Sequence, residues 1–308
     1  MDFSRLLLQW YSKHQRELPW RNCNNPYYVV VSEFMLQQTQ VPRVVEKFKA
    51  FILLFPTLPD LANANKANVI KAWSGLGYNR RALLLHSFAQ EVITKYNGEI
   101  PSVPEALIKL AGIGTYTAGS ISSFAFNRPE PAIDVNVRRI YMRFFHGKDQ
   151  GLPMDKKEEQ KLYNLVKETI PENNSSDFHN ALMDFGSLCC TRDTPQCQHC
   201  PLQKTCQFFP HYKSKGPQAL YVMEKKVEQG VKENGKHIPH RIFRGRIVEY
   251  IRNNNNKEVS LSTIGKAIKK DFTINDSSWL LKLCCKLQED KLITYTIDDQ
   301  IIKLNLAH

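Results

Sequence analysis

The chain has 308 residues, a hydrophobic fraction of 42% and a formal net charge of +12. At roughly 150 residues per domain this length predicts about two domains, and the hydrophobic fraction is ordinary for packed cores. The sequence excludes a membrane-spanning helix, since no apolar run approaches about 18 residues, and its first residues lack the layout of a signal peptide. We therefore expect a soluble intracellular protein, cytoplasmic and associated with the nucleoid if it is bacterial. The excess of Lys and Arg favours a polyanionic partner such as nucleic acid.

Residues 1–212 carry the apolar spacing of one helical unit. The first helix is indicated by the spacing of Phe3, Leu6, Leu7, Trp10 and Tyr11. Further helices are expected at about 79–97, after Pro104, after Gly114, from Asp134 to about Phe145, at 156–169 and at 176–188. Tyr27–Val31 is ambiguous. Its β-branched and aromatic residues favour a strand, whereas Pro26 before it can open a helix.

The remaining third of the chain has a different pattern. Residues 213–236 contain Gly216-Pro217 and many charges, which indicates a linker. Residues 237–308 predict three helices, Ile242–Ile251, Leu261–Lys270 and Ser277–Asp290, and then a hairpin. Its strands are Leu292–Tyr295 and Ile301–Leu304, joined across Asp298-Asp299-Gln300. Three helices followed by a hairpin predict a small winged-helix-like domain.

Four of the eight cysteines are clustered as Cys190-x6-Cys197-x2-Cys200-x5-Cys206. Without a secretory signal, such a cluster favours metal binding over disulfides. Four thiolates can hold either a [4Fe–4S] cluster or a structural zinc ion. The spacing leaves the neighbouring Cys189 as a buried thiol.

A second motif lies at residues 110–119, Leu-Ala-Gly-Ile-Gly-Thr-Tyr-Thr-Ala-Gly. Gly112 can take the left-handed conformation that ends a helix. Gly114 has no Cβ, so a phosphate can approach the backbone N–H groups that begin the next helix, at Gly114 and Thr115. Such a helix-hairpin-helix motif binds the DNA backbone and does not read the base sequence.

These motifs, taken together, resemble the MutY branch of the helix-hairpin-helix DNA glycosylases. The resemblance covers about residues 1–210. It rests on segments that occur in the family's order: Leu18-Pro19-Trp20-Arg21, Ser32–Gln40 around Glu33, Gly75-Leu76-Gly77-Tyr78, the hairpin, Pro131–Arg139 around Asp134, and the cysteine loop. It implies a mainly α, two-lobed fold with a helical barrel lobe at 22–130 and an iron–sulfur lobe at 1–21 and 131–212. The linker at 213–236 and the winged-helix-like domain at 237–308 lie beyond the resemblance and rest on the residue pattern. The resemblance also favours a [4Fe–4S] cluster over zinc and a helix at Tyr27–Val31.

The resemblance implies the chemistry of base excision. The leaving base must accept a proton while the sugar develops positive charge, as in glycoside hydrolysis by two carboxylates. Glu33, flanked by apolar residues that raise its pKa, would be the general acid. Asp134 would stay ionised and stabilise the sugar cation, with Asn136 orienting one of the two. Tyr116 stands where strand-cleaving relatives carry a lysine, so no Schiff base can form and efficient strand cleavage is not expected.

The resemblance also implies roles in opening the duplex. The target base must leave the stack before it reacts. Gln38 and Tyr78 would act as wedges. Four residues match positions that line the base pocket: Arg16, Trp20, Leu36 and Asn180. The expected partner is double-stranded DNA with a mismatched or oxidised base pair, bound by a monomer that has no membrane association.

The sequence departs from the family at three places. Val135 and Asn180 replace the usual glycine and the usual Gln or Glu, and residues 237–308 are too short for the Nudix-like domain that the family usually carries. In the winged-helix-like domain, six basic residues would suit DNA: Arg241, Arg244, Arg246, Lys266, Lys269 and Lys270. Three functions stay open: removal of adenine opposite 8-oxoguanine or G, removal of thymine or uracil opposite G, and non-catalytic DNA binding. Retention of Glu33 and Asp134 argues against the last.

Overall fold

The computed structural model describes residues 2–21, 23, 25–149, 154–215, 228–254, 257–298 and 301–307. Their helices, numbered in chain order, are α1 Asp2–His14, α2 Pro26–Leu36, α3 Val41–Leu54, α4 Leu58–Asn63, α5 Lys66–Ala72, α6 Arg80–Tyr96, α7 Pro104–Leu107, α8 Thr115–Phe126, α9 Val135–His146, α10 Lys156–Thr169, α11 Ser175–Leu188, α12 Phe209–Lys215, α13 His240–Asn253, α14 Leu261–Ile268 and α15 Ser277–Glu289. The strands are β1 Gly230–Glu233, β2 Lys236–Pro239, β3 Glu258–Ser260, β4 Ile293–Asp298 and β5 Ile301–Leu306. Over this part of the chain, none of the helices is both long enough and apolar enough to cross a bilayer.

The expected mainly α fold is confirmed. Residues 27–31 are helical within α2, as the resemblance implied, and Val30 and Val31 are fully buried there. Burial of an apolar face therefore overrides their β propensity. One helix is shorter than expected, since α7 ends at Leu107 and Gly112 lies beyond it in a turn with φ +76°.

The chain forms two compact units. Unit 1 comprises Met1–Glu33 and Ile100–Lys225, and unit 2 comprises Phe34–Glu99 and Lys226–His308. This division differs from the lobes expected from the sequence, because α8 packs against α11 in unit 1. At Gly119 of α8 a Cβ would lie 2.3 Å from the Pro131 carbonyl oxygen, so the close packing of helix and loop requires glycine there.

The core of unit 1 packs α1 against α9 and α11. Phe3 and Leu7 of α1 pack with Tyr141 of α9 and with Phe178 and Leu182 of α11. Phe3 and Tyr141 meet edge to face with ring centroids 5.4 Å apart. This core holds α9 and α11 in place, and both helices carry site residues.

In unit 2 the last 80 residues do not stand apart from the helices that precede them. Ala67 and Ile70 of α5 belong to the same buried cluster as Phe243 and Ile247 of α13. Arg252 of α13 also donates hydrogen bonds to the Ile70 carbonyl oxygen. The C-terminal region is therefore anchored on α5 by apolar and polar contacts together.

The C-terminal region has the order helix, strand, helix, helix, strand, strand in α13, β3, α14, α15, β4 and β5. Its antiparallel sheet has the order β3-β5-β4, with Ile293 opposite Leu306. This is a winged-helix arrangement, as predicted, and β3 is an additional strand. The turn at 299–300 lies outside the described residues.

The linker prediction for 213–236 is wrong over part of its length. Residues 230–233 pair with 236–239 as an antiparallel hairpin, turning at Asn234 and Gly235 with positive φ. Hydrogen bonds between the two strands satisfy their backbone groups. The charged, Gly-containing sequence gives no clear local signal of this pairing. Residues 216–227 lie outside the described part.

Four of the six basic residues expected to suit DNA form ion pairs within unit 2. Arg244 pairs with Asp290, Arg246 binds Glu233 at 2.7 Å, Lys269 binds Asp271 at 2.8 Å, and the more exposed Arg241 binds Glu228 at 2.6 Å. The charges of these four residues are therefore partly neutralised within the protein.

Candidate active site

Glu33 lies in α2 and is 8% exposed. Its Oε2 is 2.7 Å from the Ser120 hydroxyl, which donates to the carboxylate. Burial raises the pKa of Glu33 to about 7, the charge of Asp134 adds to the rise, and hydrogen bonds from Ser120 and Tyr116 oppose it. A carboxyl group with this pKa can hold a proton near neutral pH and release it to a bound base.

The Ser120 hydroxyl has a second acceptor, since it also lies 3.0 Å from the Thr117 carbonyl oxygen. A hydroxyl has one hydrogen and two lone pairs. When it donates to Thr117, it can accept from protonated Glu33. Ser120 therefore accommodates both protonation states of the acid.

Tyr116 shares the surroundings of Glu33. Burial, together with the charges of Glu33 and Asp134, raises the pKa of Tyr116 well above its ordinary value. The phenol stays neutral and hydrogen-bonds Glu33. It offers no amine that could attack a sugar carbon.

Asp134 is the N-cap of α9. Its Oδ1 accepts from the backbone N–H groups of Asn136 and Val137, both at 2.8 Å. Its Oδ2 accepts from Asn136 Nδ2 at 2.7 Å. Burial raises the pKa of Asp134, while these hydrogen bonds and the charge of Arg139 oppose the rise. The helix end and Asn136 thus hold the carboxylate in a fixed orientation.

Arg139 continues this network towards the cysteine loop. Its Nη2 donates to Asn136 Oδ1 at 2.9 Å and to the Gly186 carbonyl, and its Nε donates to the Cys190 carbonyl at 2.9 Å. A Cβ at Gly186 would lie 2.7 Å from the Asn136 Cβ. Asn136 is therefore fixed from two sides.

The loop before Asp134 is fixed by His179, which is completely buried in α11. Its Nε2 lies 3.2 Å from the backbone nitrogen of Ala132, which donates to it, and its Nδ1 lies 2.8 Å from the Ser175 carbonyl oxygen. These contacts require a neutral ring that donates from Nδ1. Burial lowers the pKa of His179 to about 4.

The His179 contacts predict an acid-sensitive fold. The folded pKa of about 4 lies below the ordinary 6.5. The stabilisation is therefore present above pH 6.5 and lost as the pH falls towards 4, to a limit of about 3 kcal/mol. Urea unfolding across this range should show the loss in wild type and a flatter profile in His179→Gln. The exposed His211→Gln should match wild type, and a His179→Gln profile as steep as wild type would contradict the assignment.

Asp184 of α11 binds the chain segment that precedes α2. Its carboxylate is fully buried. It accepts from Arg16 Nε at 2.7 Å and from Arg21 Nη1 at 2.8 Å, and also from the Arg16 backbone N–H. Trp20, between the two arginines, is 8% exposed. Asn180, on the same helix as Asp184, is half-buried. Roles for Arg16, Trp20 and Asn180 in a base pocket stay predictions, as does that of Leu36, which lies in unit 2.

The hairpin has a backbone geometry that an anion can approach closely. Gly112 is left-handed, as predicted. Gly114 is the N-cap of α8, is exposed, and would have nothing within 4 Å of an added Cβ. The first N–H groups of α8, from Thr115, have no partner within the helix, and the space beside Gly114 is open, so a phosphate can approach this helix end.

In unit 2 the expected wedges lie on two loops joined by Arg81. Gln38 and Tyr78 both have left-handed backbones, with φ +58° and +46°. Such conformations are strained for these residues. Arg81 stabilises both loops through six acceptors: the carbonyls of Phe34, Met35, Gln37, Leu76 and Gly77, and the Thr39 hydroxyl.

Five cysteines line one small cavity in unit 1 together with Arg143: the four clustered ones and Cys189. Arg143 Nη1 lies 3.5 Å from Cys190 Sγ, so a cation faces the sulfur atoms. Within the described ranges, no group of three or more His, Cys, Asp or Glu residues has the arrangement that holds a metal ion. Cys189 is buried, as expected.

Sequence reasoning missed Ser120, Arg81, Arg139 and His179. Ser120 could have been found, because it lies one helical turn after Tyr116 and so shares its face of α8. Arg139 likewise lies three residues after Asn136. Arg81 and His179 act through contacts between distant segments, for which the sequence gives no local signal.

The chain resembles known DNA repair proteins. Residues 31–168 match the family described as HhH-GPD superfamily base excision DNA repair protein. The adenine DNA glycosylase of Buchnera aphidicola subsp. Acyrthosiphon pisum is 42% identical over 205 residues, covering 66% of this chain and 58% of that protein. That of Mycobacterium tuberculosis H37Rv is 40% identical over 200 residues, 64% of each chain.

A solved structure of a thermostable thymine-DNA glycosylase is 27% identical, with a TM-score of 0.63 over 68% of this chain and 95% of that one. The chain spans about three fifths of the length of the two curated relatives. The resemblance to the MutY branch that was drawn from the motifs is confirmed: the chain is similar to HhH-GPD superfamily base excision DNA repair proteins and to adenine DNA glycosylases.

Proposed function

We propose that the protein is a monofunctional DNA glycosylase that hydrolyses the N-glycosidic bond of a flipped adenine opposite 8-oxoguanine or G. The observation that carries this proposal is the pairing in unit 1 of a buried acid, Glu33, with a fixed carboxylate, Asp134. Burial raises the pKa of Glu33 to about 7, and Asp134 lies close enough for its charge to add to that rise. The relatives named adenine DNA glycosylase support adenine as the base.

The two carboxyl groups divide the work of bond cleavage. Glu33 gives its proton to a ring nitrogen of the base, so the base leaves as a neutral molecule. Asp134, oriented by Asn136 and the α9 N-terminus, stabilises the positive charge on the sugar until water adds. Ser120 and Tyr116 hold the Glu33 carboxyl in position. Gln38 and Tyr78 would occupy the gap that the flipped base leaves.

The partner is double-stranded DNA with a mismatched or oxidised base pair, bound by a monomer. The exposed start of α8 at Gly114 and Thr115 would bind a phosphate of the backbone. Because bound phosphates release counterions, affinity should fall steeply with salt.

A panel of duplexes, each with a single A:8-oxoguanine, A:G, T:G or U:G pair, tests the substrate. Adenine release from the first two, without release of thymine or uracil, is the expected result. Release of thymine or uracil would instead support a mismatch glycosylase that acts opposite G. The similarity to a thymine-DNA glycosylase structure is the reason to include these two duplexes. Binding without any base release would support the non-catalytic reading.

The cysteine loop is proposed to hold a [4Fe–4S] cluster through Cys190, Cys197, Cys200 and Cys206. The donor set fits, because these four thiols line one cavity beside the Arg143 guanidinium, with Cys189 as a fifth thiol in its wall. When bound, the cluster would fix the loop whose Cys190 carbonyl accepts from Arg139.

Metal analysis of the purified protein tests this ligand set. About four iron atoms and four sulfides per chain are expected, rather than about one zinc ion. Cys197→Ser should lose iron, whereas Cys189→Ser, the matched control, should retain it. Zinc in wild type, or equal iron loss in both variants, would contradict the assignment.

Tyr116 predicts that strand cleavage is absent. With no amine at this position, borohydride should trap no covalent protein–DNA adduct during base release. Tyr116→Lys supplies an amine and serves as the positive control for trapping. A strong adduct with wild type would show that another amine attacks the sugar.

A further inference from the structure

Unit 2 contains an open cleft of about 920 Å³ between the loops that carry Gln38 and Tyr78 and the face of α13. Its volume lies at the upper end of small-ligand pockets. Eight Arg or Lys residues line it, against two Asp or Glu residues. A cleft with this charge imbalance favours a polyanion.

The two lining acids are already paired inside the protein. Asp290 binds Arg244, and Glu249 lies 2.5 Å from Arg252. Arg43, which also lines the cleft, has no ion pair among the residues that the structure describes. The cleft therefore retains an excess of positive charge after its internal pairs are formed.

Tyr78 lies between two arginines in this cleft. The Arg81 guanidinium is 5.6 Å from the centre of its ring, and that of Arg241, at the start of α13, is 5.7 Å from it. The ring is nevertheless 42% exposed. An exposed aromatic ring flanked by cations is the combination with which proteins hold nucleic-acid strands.

Arg241 can exchange its present partner for a phosphate. It binds Glu228 at 2.6 Å, but both side chains are about half exposed, at 44% and 50%. Ion pairs between such exposed groups are weak. The wall behind Arg241 is rigid, because Arg252 ties α13 to the Ile70 carbonyl and to Asn79 Oδ1.

Gly245 lies on the same wall, within α13. An added Cβ would meet nothing within 4 Å, so the protein has room for a side chain there. Glycine inside a helix lowers stability, yet it lets another backbone approach closely. Nothing in the packing of the domain requires it.

We propose that this cleft binds the DNA backbone beside the wedge, with the winged-helix-like domain contributing Arg241 and the Gly245 face of α13. The domain thus contacts DNA through the side that faces Tyr78. Its Lys266 and Lys270, both exposed, do not line the cleft and take no part. This inference rests on the proposed function for the identity of the DNA.

Gly245→Glu and Gly245→Gln test the cleft with side chains of equal size. Both variants should melt at or above the wild-type temperature, since the helix gains a better former and meets no clash. Affinity for a labelled A:8-oxoguanine duplex should fall at least about tenfold further in Gly245→Glu than in Gly245→Gln, because a new carboxylate would face phosphates. Arg241→Gln should reduce the slope of log affinity against log salt by about 1.

The control is the double variant Lys266→Gln with Lys270→Gln, whose two positions are exposed but do not line the cleft. It should bind DNA like wild type. Wild-type affinity and salt slope in the Gly245→Glu and Arg241→Gln variants would overturn the proposal, as would weakening confined to the control. If the cleft binds a protein partner instead of DNA, both variants should keep the wild-type DNA affinity and salt slope. If wild type releases no base from any duplex, the proposed function fails, but the same affinities on undamaged duplex still decide the cleft.

Discussion

Glu33→Gln is expected to lower the single-turnover rate of adenine release at least about a hundredfold, the lower range for loss of a general acid. An amide has nearly the shape of the carboxyl group but cannot donate the proton that makes the base a good leaving group. Ser120, 2.7 Å from Oε2, can still hydrogen-bond the amide, so the fold should be retained. Duplex affinity should change little, because Glu33 acts on the transition state.

Glu17→Gln is the matched control, since Glu17 is exposed in the same unit. Its rate should equal that of wild type. A Glu33→Gln enzyme that retains more than about a tenth of the wild-type rate would remove Glu33 from the role of general acid.

Asp184→Asn is expected to destabilise the protein by about 3–5 kcal/mol, the usual cost of breaking a buried ion pair. Burial alone would raise the pKa of Asp184, but the hydrogen bonds and charge of Arg21, with those of Arg16, hold it below its ordinary value. The Arg21 side chain is only 6% exposed. Removing the carboxylate therefore leaves a guanidinium buried without its counter-charge. The loss should appear in urea unfolding.

Asp177→Asn, an exposed change at the start of the same helix, should cost less than about 1 kcal/mol. Because Asp184 also binds the Arg16 backbone, its replacement should release the segment that carries Trp20. A cost for Asp184→Asn no greater than that of Asp177→Asn would show that the two arginines find other partners.

The sequence was most informative where chemistry follows local order. Asp134 caps α9 and contacts Asn136 two residues on, so its role could be predicted from one short segment. Gly112 and Gly114 lie on a turn that their spacing defines. Glu33 required the family resemblance, because its pKa depends on burial and on residues more than 80 positions away, Ser120 and Asp134.

The sequence was least informative about the C-terminal region. Its helices and hairpin follow from periodicity, but its attachment to α5 depends on the apolar face of Ile70 and on Arg252, separated by 182 positions. The sequence suggested six basic residues of this region for DNA binding. Four of them form ion pairs with Glu228, Glu233, Asp271 and Asp290, which only the folded arrangement of these acids reveals.

The pH dependence of adenine release by wild type, under single-turnover conditions on an A:8-oxoguanine duplex, tests the central claim most directly. The active form of Glu33 carries a proton, and burial raises its pKa to about 7. The rate should therefore be highest below pH 7 and fall as the pH rises through it. A rate that stays constant well above pH 7, or a duplex from which no adenine is released, would contradict the account.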